Sequence, residues 1–330
     1  MLDHGGRLRA AAVHYNIPLA DWLDLSTGIN PQGWPVPALP AEVWQRLPEA
    51  HDGLEAAAAA YYGNAHLLPV AGSQAAIQTL PSLLPRAAVA CLAPLYAEHP
   101  AAWQRAGHKV RQLANAPLSR ALTAATPYVL LCNPNNPSGH HQPYAAVVDA
   151  AAQLRQRGGW LIIDEAFIDA TPDDSLAPLA GTAEAPNLIV LRSLGKFFGL
   201  AGARVGFVFA APELLDRLAD ALGPWPISGP ARAVARLALS DTGWQSAQRQ
   251  ALPGAAARLH ALLENLGETR STALFATLKL PQAAALHDFL AHRAVLTRHF
   301  AESTLLRFGL PADEQGWTRL TAALADWSTP

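Results

Sequence analysis

One short segment, "SLGKFFGLAGARVGF" (193–207), holds a lysine and an arginine among apolar and glycine residues. Lys196 and Arg204 are its charged residues, and no carboxylate stands beside them. A lysine held among apolar groups near another cation loses its proton readily, because burial and like charge both disfavour the ammonium. The neutral amine can then attack a carbonyl carbon and form a Schiff base. The alternative interpretation is a surface loop whose cations extend into water.

Polar residues also stand where three apolar runs end. Asp164 ends "WLIID", Ser193 ends "NLIVLRS", and the loop "NPNNPSG", which contains Asn136, follows "YVLLC". Parallel strands of an open α/β sheet end at a common edge, and ligands bind there. We therefore expect these residues and Lys196 to form one site. An aspartate at a strand end can also cap a helix or pair with an arginine, so this position alone does not decide the matter.

A lysine and an aspartate in one site suit pyridoxal phosphate. The aspartate keeps the pyridine nitrogen protonated, so that the ring withdraws electrons, while the lysine holds the aldehyde. For the cofactor's phosphate, "AGSQAA" offers the backbone N–H groups of Ser73 and Gln74 at a predicted helix start after Gly72. Ser193 adds a hydroxyl, and Arg204 adds a permanently charged pair of donors. The sequence therefore predicts a phosphate partner for Arg204.

The elements that must position these residues alternate along the chain. Between about residues 50 and 210, short apolar runs are separated by alanine-rich helical stretches. This pattern predicts an α/β fold with a mostly parallel sheet covered on both faces. Beyond "PWPISGP", helices surround weaker strands such as "ALFATLKL" and "TLLRFGL", which indicates a smaller α+β domain. We predict an arm over residues 1–33, a large domain over 34–235 and a small domain over 236–330.

Composition argues against several functional classes. The 330 residues carry a formal net charge of -2, so neither nucleic acid nor an anionic membrane surface is an expected partner. No stretch approaches the roughly 20 apolar residues that span a bilayer, and the N-terminus lacks a signal peptide's apolar core. Cys91 and Cys132 are expected to be buried free thiols, which suits the cytoplasm. The 12 histidines lack ligand-like spacing, so no metal is predicted.

Taken together, the motifs resemble the fold-type I pyridoxal-phosphate aminotransferase family. "NPNNPSG" and "DEAF" precede Ser-x-x-Lys, and Arg-x-Gly begins eight residues after the lysine. The resemblance covers nearly the whole chain and implies a fold-type I transferase, the cofactor pyridoxal 5'-phosphate and a homodimer. It implies an internal aldimine at Lys196, a pyridinium partner in Asp164 and a ring-hydroxyl partner in Asn136. Tyr96 would stack on the ring and Arg307 would bind the substrate carboxylate; without the resemblance, a core aromatic and an exposed strand cation are favoured.

The terminal segments narrow the resemblance to one branch. "HGGRLRAAAVHYNIP", "LDLSTGINPQGWP" and "ARVGF" are similar to the cobalamin-pathway branch that decarboxylates threonine phosphate, close to histidinol-phosphate aminotransferase. This implies conversion of L-threonine O-3-phosphate to (R)-1-amino-2-propanol O-2-phosphate. It also implies that His4, Gly5 and Gly6 belong to an arm over the active site and that Asn30 lies in a loop lining it. Arg298 is a candidate ligand of the substrate phosphate, with a solvated cation as the alternative.

Two departures from the family pattern are expected to matter. Phe167 stands in "DEAF" where many relatives carry tyrosine, so one hydrogen bond to the ring hydroxyl would be absent. Leu47 replaces a tyrosine that contacts the cofactor phosphate across subunits, and His51 is a candidate substitute. Two other functions stay open: an aminotransferase of the histidinol-phosphate type, and a non-catalytic cofactor-binding protein. The intact Lys196, Asp164 and Arg204 argue against the second.

Overall fold

The structure, a computed structural model, describes residues 4–123 and 126–327. In these ranges thirteen strands and twelve α-helices are formed. The strands are β1 (Leu23–Asp24), β2 (Leu67–Val70), β3 (Ala88–Ala93), β4 (Lys109–Ala114), β5 (Tyr128–Cys132), β6 (Trp160–Asp164), β7 (Leu188–Ser193), β8 (Gly206–Phe209), β9 (Glu268–Ser271), β10 (Phe275–Lys279), β11 (Val295–Leu296), β12 (Arg298–Phe300) and β13 (Leu305–Gly309). The helices are α1 (Leu8–His14), α2 (Glu42–Gln45), α3 (Leu54–Tyr62), α4 (Gly72–Leu83), α5 (Glu98–Arg105), α6 (Leu118–Thr123), α7 (Tyr144–Gln156), α8 (Pro212–Leu222), α9 (Gly229–Ser240), α10 (Thr242–Leu263), α11 (Ala283–Ala291) and α12 (Glu314–Ala325).

The chain divides into two compact units. The larger unit lies within residues 34–136 and 140–246. The smaller unit has its described residues within 4–33, 137–139 and 247–327. Across the described part of the chain, every helix is too short or too polar to cross a lipid bilayer.

A seven-stranded sheet forms the centre of the larger unit, in the order β2-β8-β7-β6-β5-β3-β4. Strand β8 runs antiparallel to both neighbours, and the other strand pairs are parallel. The prediction of a mostly parallel α/β sheet is therefore confirmed. Strands β5 and β7 are buried along their whole length, as their continuous apolar sequences predict. Residues of α4, α5 and α8 share a core with alternate residues of the central strands.

The register of the central strands aligns their carboxyl ends. Asp164, the last residue of β6, lies level with Cys132 at the end of β5 and with Leu191 near the end of β7. The backbone N–H of Asn133 donates to the Asp164 carbonyl at 2.9 Å, and that of Glu165 donates to the Leu191 carbonyl at 2.9 Å. The three following loops therefore leave the sheet at one edge, as expected for a site at strand ends.

The smaller unit is an α+β structure, as predicted. Its antiparallel sheet has the order β12-β13-β10-β9, and β1 pairs in parallel with β11. Helix α11 packs against β11, β12 and β13. Apolar residues of α1 pack around Trp22 and the end of α11, which holds the N-terminal segment on this unit.

The two cysteines are both free and buried, which confirms the expectation from their apolar surroundings. Burial raises the pKa of Cys91 to about 12. Burial, and then the negative charge of Asp164, raise the pKa of Cys132 well above its usual range. Both thiols are therefore protonated at neutral pH and are poor nucleophiles and metal ligands.

Candidate active site

The start of α4 and the Arg204 guanidinium form a cradle that suits an anion. Gly72 has a φ of +69°, and a Cβ built on it would lie 2.6 Å from Arg204 Nη2, so glycine alone fits both the conformation and the space. Arg204 itself adopts a φ of +54° and donates from Nη1 to the Ala201 carbonyl at 3.0 Å. A helix N-terminus and a guanidinium both attract negative charge, and together they provide several N–H donors for a phosphate.

Strand β8 brings Ser73 and Ser193 to the same cradle. Gly206 pairs with Ser193 in the sheet, and a Cβ built on Gly206 would lie 2.6 Å from the Ser73 nitrogen. The Ser193 hydroxyl accepts a hydrogen bond from the Gly195 backbone N–H at 3.2 Å, which fixes its direction. The predicted phosphate ligands of the larger unit thus converge from β7, β8 and α4.

The Asp164 carboxylate is held from two sides. Its Oδ1 accepts from the Ala166 backbone N–H at 3.0 Å, and its Oδ2 lies 2.8 Å from Nε2 of His99. Asp164 is 6% exposed and His99 1%. Ligand atoms of His99, Cys132 and Asp164 lie within 4.8 Å of one another, but the protonated Cys132 thiol makes a poor metal ligand. The arrangement suits a fixed carboxylate that binds a protonated ring nitrogen.

Lys196 is half-buried on a tightly anchored turn. Its Nζ lies 5.3 Å from the centre of the Phe167 ring. Phe197 and Phe198, which follow it, have no exposed surface, and the Phe198 ring stacks on Trp244 with centroids 5.5 Å apart. These buried rings fix the backbone from which the lysine amine is presented.

Tyr96 is tied to the start of α4. Its hydroxyl donates to Oε1 of Gln74 at 3.2 Å, and its ring meets the His99 ring edge-on with centroids 6.1 Å apart. Burial, and then the negative charges of Glu98 and Asp164, raise the pKa of Tyr96 to about 12. The phenol is therefore neutral at physiological pH and acts as a hydrogen-bond donor to Gln74.

Asn136 belongs to a loop closed by Asn133. The Asn133 side chain accepts from the Gln142 backbone N–H at 2.8 Å and donates to the Gln142 carbonyl at 3.2 Å. Asn136, three residues after Asn133, lies within the loop that these hydrogen bonds close and is half-buried. Its amide offers both a donor and an acceptor, which are the groups needed to bind a ring hydroxyl.

In the smaller unit, Arg298 and Arg307 stand directly opposite each other on β12 and β13. Arg307 is 6% exposed, in contrast to the exposed strand cation that was the alternative. The two guanidinium carbons lie 5.1 and 5.8 Å from the centre of the Phe300 ring. Burial, and then the charge of Arg298, lower the pKa of Arg307 to about 10, against a raising effect of Asp24. Like charges that face each other repel, so this pair favours binding of an anion.

The N-terminal arm lies against Ser26. The Gly6 backbone N–H donates to Ser26 Oγ at 2.8 Å, and a Cβ built on Gly5 would lie 2.4 Å from the Ser26 carbonyl oxygen. His4, half-buried, immediately precedes this contact. The three predicted arm residues are therefore grouped with the segment that follows β1.

The remaining predicted residues are Asn30, which is buried in a loop, and Leu47 and His51, which are exposed. Asn30 is buried; its amide donates to Gln248 Oε1 at 2.9 Å and accepts from the Gln32 backbone N–H at 3.0 Å. These bonds shape the loop that contains it. Leu47 is 64% exposed, and His51 is exposed with a φ of +68°.

The predicted residues thus form two groups, each mostly within one unit. The cofactor group comprises Gly72, Ser73, Gln74, Tyr96, Asn136, Asp164, Ser193, Lys196 and Arg204, all in the larger unit. The substrate group comprises His4, Gly5, Gly6, Asn30, Arg298 and Arg307 in the smaller unit, and Asn136, which is predicted to belong to both groups, in the larger unit. An anion cradle, a fixed carboxylate and a lysine amine at one sheet edge fit pyridoxal phosphate.

The sequence prediction missed His99 and a buried ion network beside the site. Arg192, 2% exposed, donates from Nη1 to Glu165 Oε2 at 3.2 Å and also binds Asp169. Burial opposes the charge on Arg192, but the charges of Asp169, Tyr62 and Glu165 raise its pKa above its usual range. The sequence holds one indication of this network: Glu165 directly follows Asp164, and Arg192 directly precedes Ser193, at the ends of otherwise apolar runs.

Comparison with known proteins gives a consistent result. Residues 21–327 match the family model for aminotransferase class I and II. The chain is 52% identical to the threonine-phosphate decarboxylase of Pseudomonas aeruginosa over 100% of this chain and 99% of that protein. Histidinol-phosphate aminotransferase from Sinorhizobium meliloti, solved with pyridoxal-5'-phosphate, superposes with a TM-score of 0.80 at 22% identity, covering 98% and 94% of the two chains. L-threonine-O-3-phosphate decarboxylase from Porphyromonas gingivalis gives a TM-score of 0.77 at 19% identity, covering 91% and 98%.

Proposed function

Because the chain belongs to the aminotransferase class I and II family, we propose that it is a pyridoxal-phosphate enzyme that decarboxylates L-threonine O-3-phosphate. The products are carbon dioxide and (R)-1-amino-2-propanol O-2-phosphate, and the proposed pathway is cobalamin biosynthesis. The observation that carries the assignment is the 52% identity to a threonine-phosphate decarboxylase along the whole chain. When bound, the cofactor supplies an electron sink for the pair of electrons left on Cα as the carboxylate departs.

We propose the following roles in the cofactor group. Arg204 and the N–H groups at the start of α4 bind the cofactor phosphate, supported by the glycine that lets the guanidinium approach. Asp164, held by His99, binds the ring nitrogen in its protonated form. Lys196 would hold the cofactor aldehyde until the substrate amine takes its place, and the freed Nζ, once protonated, would be the group that returns a proton to the substrate Cα.

We propose that the smaller unit binds both anionic groups of the substrate. Arg307 binds the carboxylate, because it is buried and faces a like charge that an anion would relieve. Arg298 and the arm residues His4, Gly5 and Gly6 bind the phosphate. The residues that would orient the substrate carboxylate would thereby favour its loss over loss of the Cα proton.

We propose that the protein is a homodimer that uses an apolar patch on the larger unit. The patch comprises Trp44, Leu47 and Trp225, which are 68%, 64% and 56% exposed. A Cβ built on Gly229 would lie 2.4 Å from the Val43 carbonyl oxygen, so the segment around α2 packs tightly on the start of α9. Large apolar side chains exposed together are typical of a protein interaction surface. The buried free thiols suit the reducing cytoplasm, where we propose the enzyme acts.

A side-by-side assay of the yellow, cofactor-loaded protein tests the reaction. One sample receives L-threonine O-3-phosphate without a keto acid and is followed for carbon dioxide and aminopropanol phosphate. The second receives histidinol phosphate and 2-oxoglutarate and is followed for glutamate. We expect product in the first sample alone. Glutamate in the second sample alone would make the protein an aminotransferase, and no product in either would favour a cofactor-binding protein without turnover.

A Lys196→Ala variant tests the role of the lysine. We expect it to lose the visible absorbance of the loaded protein and all turnover, because no other amine is placed to bind the aldehyde in the proposed site. Lys109→Ala, on an exposed residue of β4, is the matched control and should keep both properties. Full activity of Lys196→Ala would overturn the assignment of this residue.

A further inference from the structure

Ser26 is a junction of hydrogen bonds in the smaller unit. It is 3% exposed, and its hydroxyl accepts from the Gly6 N–H at 2.8 Å while donating to Asp24 Oδ1 at 2.6 Å. Its own N–H donates to the same Asp24 oxygen at 2.9 Å. Its carbonyl oxygen accepts from Arg307 Nη2 at 2.8 Å. One residue thus joins the arm, the turn after β1 and the buried arginine of β13.

Ser26 contacts the N-terminal arm on one side and Arg307 on the other. On the arm side, Gly5 and Gly6 pack so closely on it that a Cβ at Gly5 would lie 2.4 Å from the Ser26 carbonyl oxygen. On the arginine side, the Arg307 guanidinium uses that same carbonyl as an acceptor. Gly5 therefore lies against the same carbonyl oxygen that accepts the hydrogen bond from Arg307. A shift of the arm would move this oxygen and so change the orientation of Arg307.

We propose that Ser26 is a positioning residue that couples the N-terminal arm to Arg307. Through it, binding of the substrate phosphate by the arm holds Arg307 in the orientation that binds the substrate carboxylate. The substrate class favoured by this coupling is an amino acid with an anionic group on its side chain. The kinetic part of this inference rests on the proposed function, whereas the link between arm and arginine can be measured without any substrate.

Limited trypsin digestion measures the link directly. Arg7 and Arg9 are exposed in the arm, and cleavage after them is followed by mass spectrometry relative to cleavage at exposed Arg46 of the larger unit. Loss of one hydrogen bond corresponds to about a fivefold change in an opening equilibrium, so Ser26→Ala should be cleaved in the arm about fivefold faster. Ser26→Thr keeps the hydroxyl and should restore protection.

Two further variants test whether Ser26 links the arm to Arg307 or only stabilises the turn after β1. Arg307→Gln removes the donor to the Ser26 carbonyl from a distant strand and should also speed cleavage of the arm. Gly5→Ala places a Cβ against the Ser26 carbonyl oxygen while keeping every side chain of the junction. It should also speed cleavage of the arm, and it tests the contact even if Ser26→Ala folds poorly. Ser303→Ala, in the same unit, is the control and should be cleaved at the wild-type rate. Wild-type arm cleavage in Arg307→Gln would overturn the proposal, because Ser26→Ala and Gly5→Ala also alter direct contacts of the arm.

Kinetics give the second readout. In Ser26→Ala, KM for L-threonine O-3-phosphate should rise about fivefold with little change in kcat, because the lost bond serves binding. For unphosphorylated L-threonine, kcat/KM should not change, since that substrate has no phosphate for the arm to bind. An equal loss for both substrates would contradict the coupling. If the wild-type protein released no carbon dioxide, the proposed function would fail while the digestion result would still decide the link.

Discussion

At the scale of single residues, the candidate cofactor site depends on exact fits between small and charged groups. Gly72 leaves space that the Arg204 guanidinium fills, and Oδ2 of Asp164 lies 2.8 Å from Nε2 of His99. Leu47 and Phe167, the two expected departures from the family pattern, take no part in these contacts. The phosphate end and the ring-nitrogen end of the proposed site are therefore set by separate residues, and each can be altered without the other.

Gly72→Ala tests the phosphate end. Alanine at a φ of +69° is strained, and its Cβ would lie 2.6 Å from Arg204 Nη2, so the guanidinium must move. We expect about tenfold weaker binding of pyridoxal phosphate, measured by titrating the cofactor-free protein and following visible absorbance. Gly202→Ala has no atom within 4 Å of the added Cβ and should bind as the wild type does. Unchanged affinity in Gly72→Ala would argue against the cradle as the phosphate site.

At the scale of elements, charged clusters join segments that are distant in the chain. Arg232 of α9 binds Asp52 and Glu55 at the start of α3, with distances of 2.7 and 2.8 Å. The Arg192 network ties the end of β7 to the segment after β6 beside the candidate cofactor group. In the fully buried Arg192 network, removal of one partner leaves an uncompensated charge, which typically destabilises a protein by about 3–5 kcal/mol. These clusters therefore fix where helices and strand ends lie.

Asp52→Asn tests the cluster at α3 through pH. Burial raises the pKa of Asp52, but hydrogen bonds from Arg232 and Leu54 and the charges of Arg232 and Arg236 together hold it below its ordinary 3.8. A carboxyl whose pKa falls on folding adds stability above its unfolded pKa and loses it as pH falls through the folded value. The variant should thus melt below the wild type at neutral pH, and the difference should shrink below pH 3.8.

Thermal midpoints of both proteins across this pH range provide the measurement. The matched control is Asp216→Asn on α8, because Asp216 is exposed. This control should follow the wild type at every pH. A midpoint difference for Asp52→Asn that persisted undiminished in acid would show that the carboxylate charge is not the source of the stabilisation.

At the scale of the whole molecule, the larger unit has a surface that a single chain leaves exposed. Trp44, Leu47 and Trp225 are large apolar side chains, and each is more than half exposed. We propose that Leu47 contributes apolar area to this dimer surface, at the position where the family resemblance implies a cross-subunit tyrosine.

Leu47→Glu tests the proposed dimer surface. The side chain is 64% exposed, so the change should leave the folded subunit intact while placing a charge in the interface. We expect the mass in solution, measured by size-exclusion chromatography with light scattering, to fall from two chains to one. Tyr144→Glu on α7, a residue that is 38% exposed outside the patch, should not change the mass. A Leu47→Glu variant that remained dimeric would show that this surface is not the dimer interface.

The sequence by itself determined the central strands and the residues at their ends. Strands β5, β6 and β7 are short apolar runs, and Asp164 and Ser193 end two of them. The local sequence pattern was therefore sufficient to predict these strands and their ends. Strands β2 and β4 were not predicted. Pro69 interrupts β2, and β4 is a polar, largely exposed strand at the sheet edge, where burial imposes no apolar pattern.

Only the tertiary structure decided which distant side chains meet. His99 contacts Asp164 across 65 positions of the chain, and Arg307 contacts Ser26 across 281. The repulsive pairing of Arg298 with Arg307 follows from strand register, which neither local sequence specifies. A single sequence encodes the periodicity of its elements locally, whereas contacts between elements depend on how those elements pack. The cofactor chemistry could therefore be predicted from motifs, but the junction at Ser26 could not.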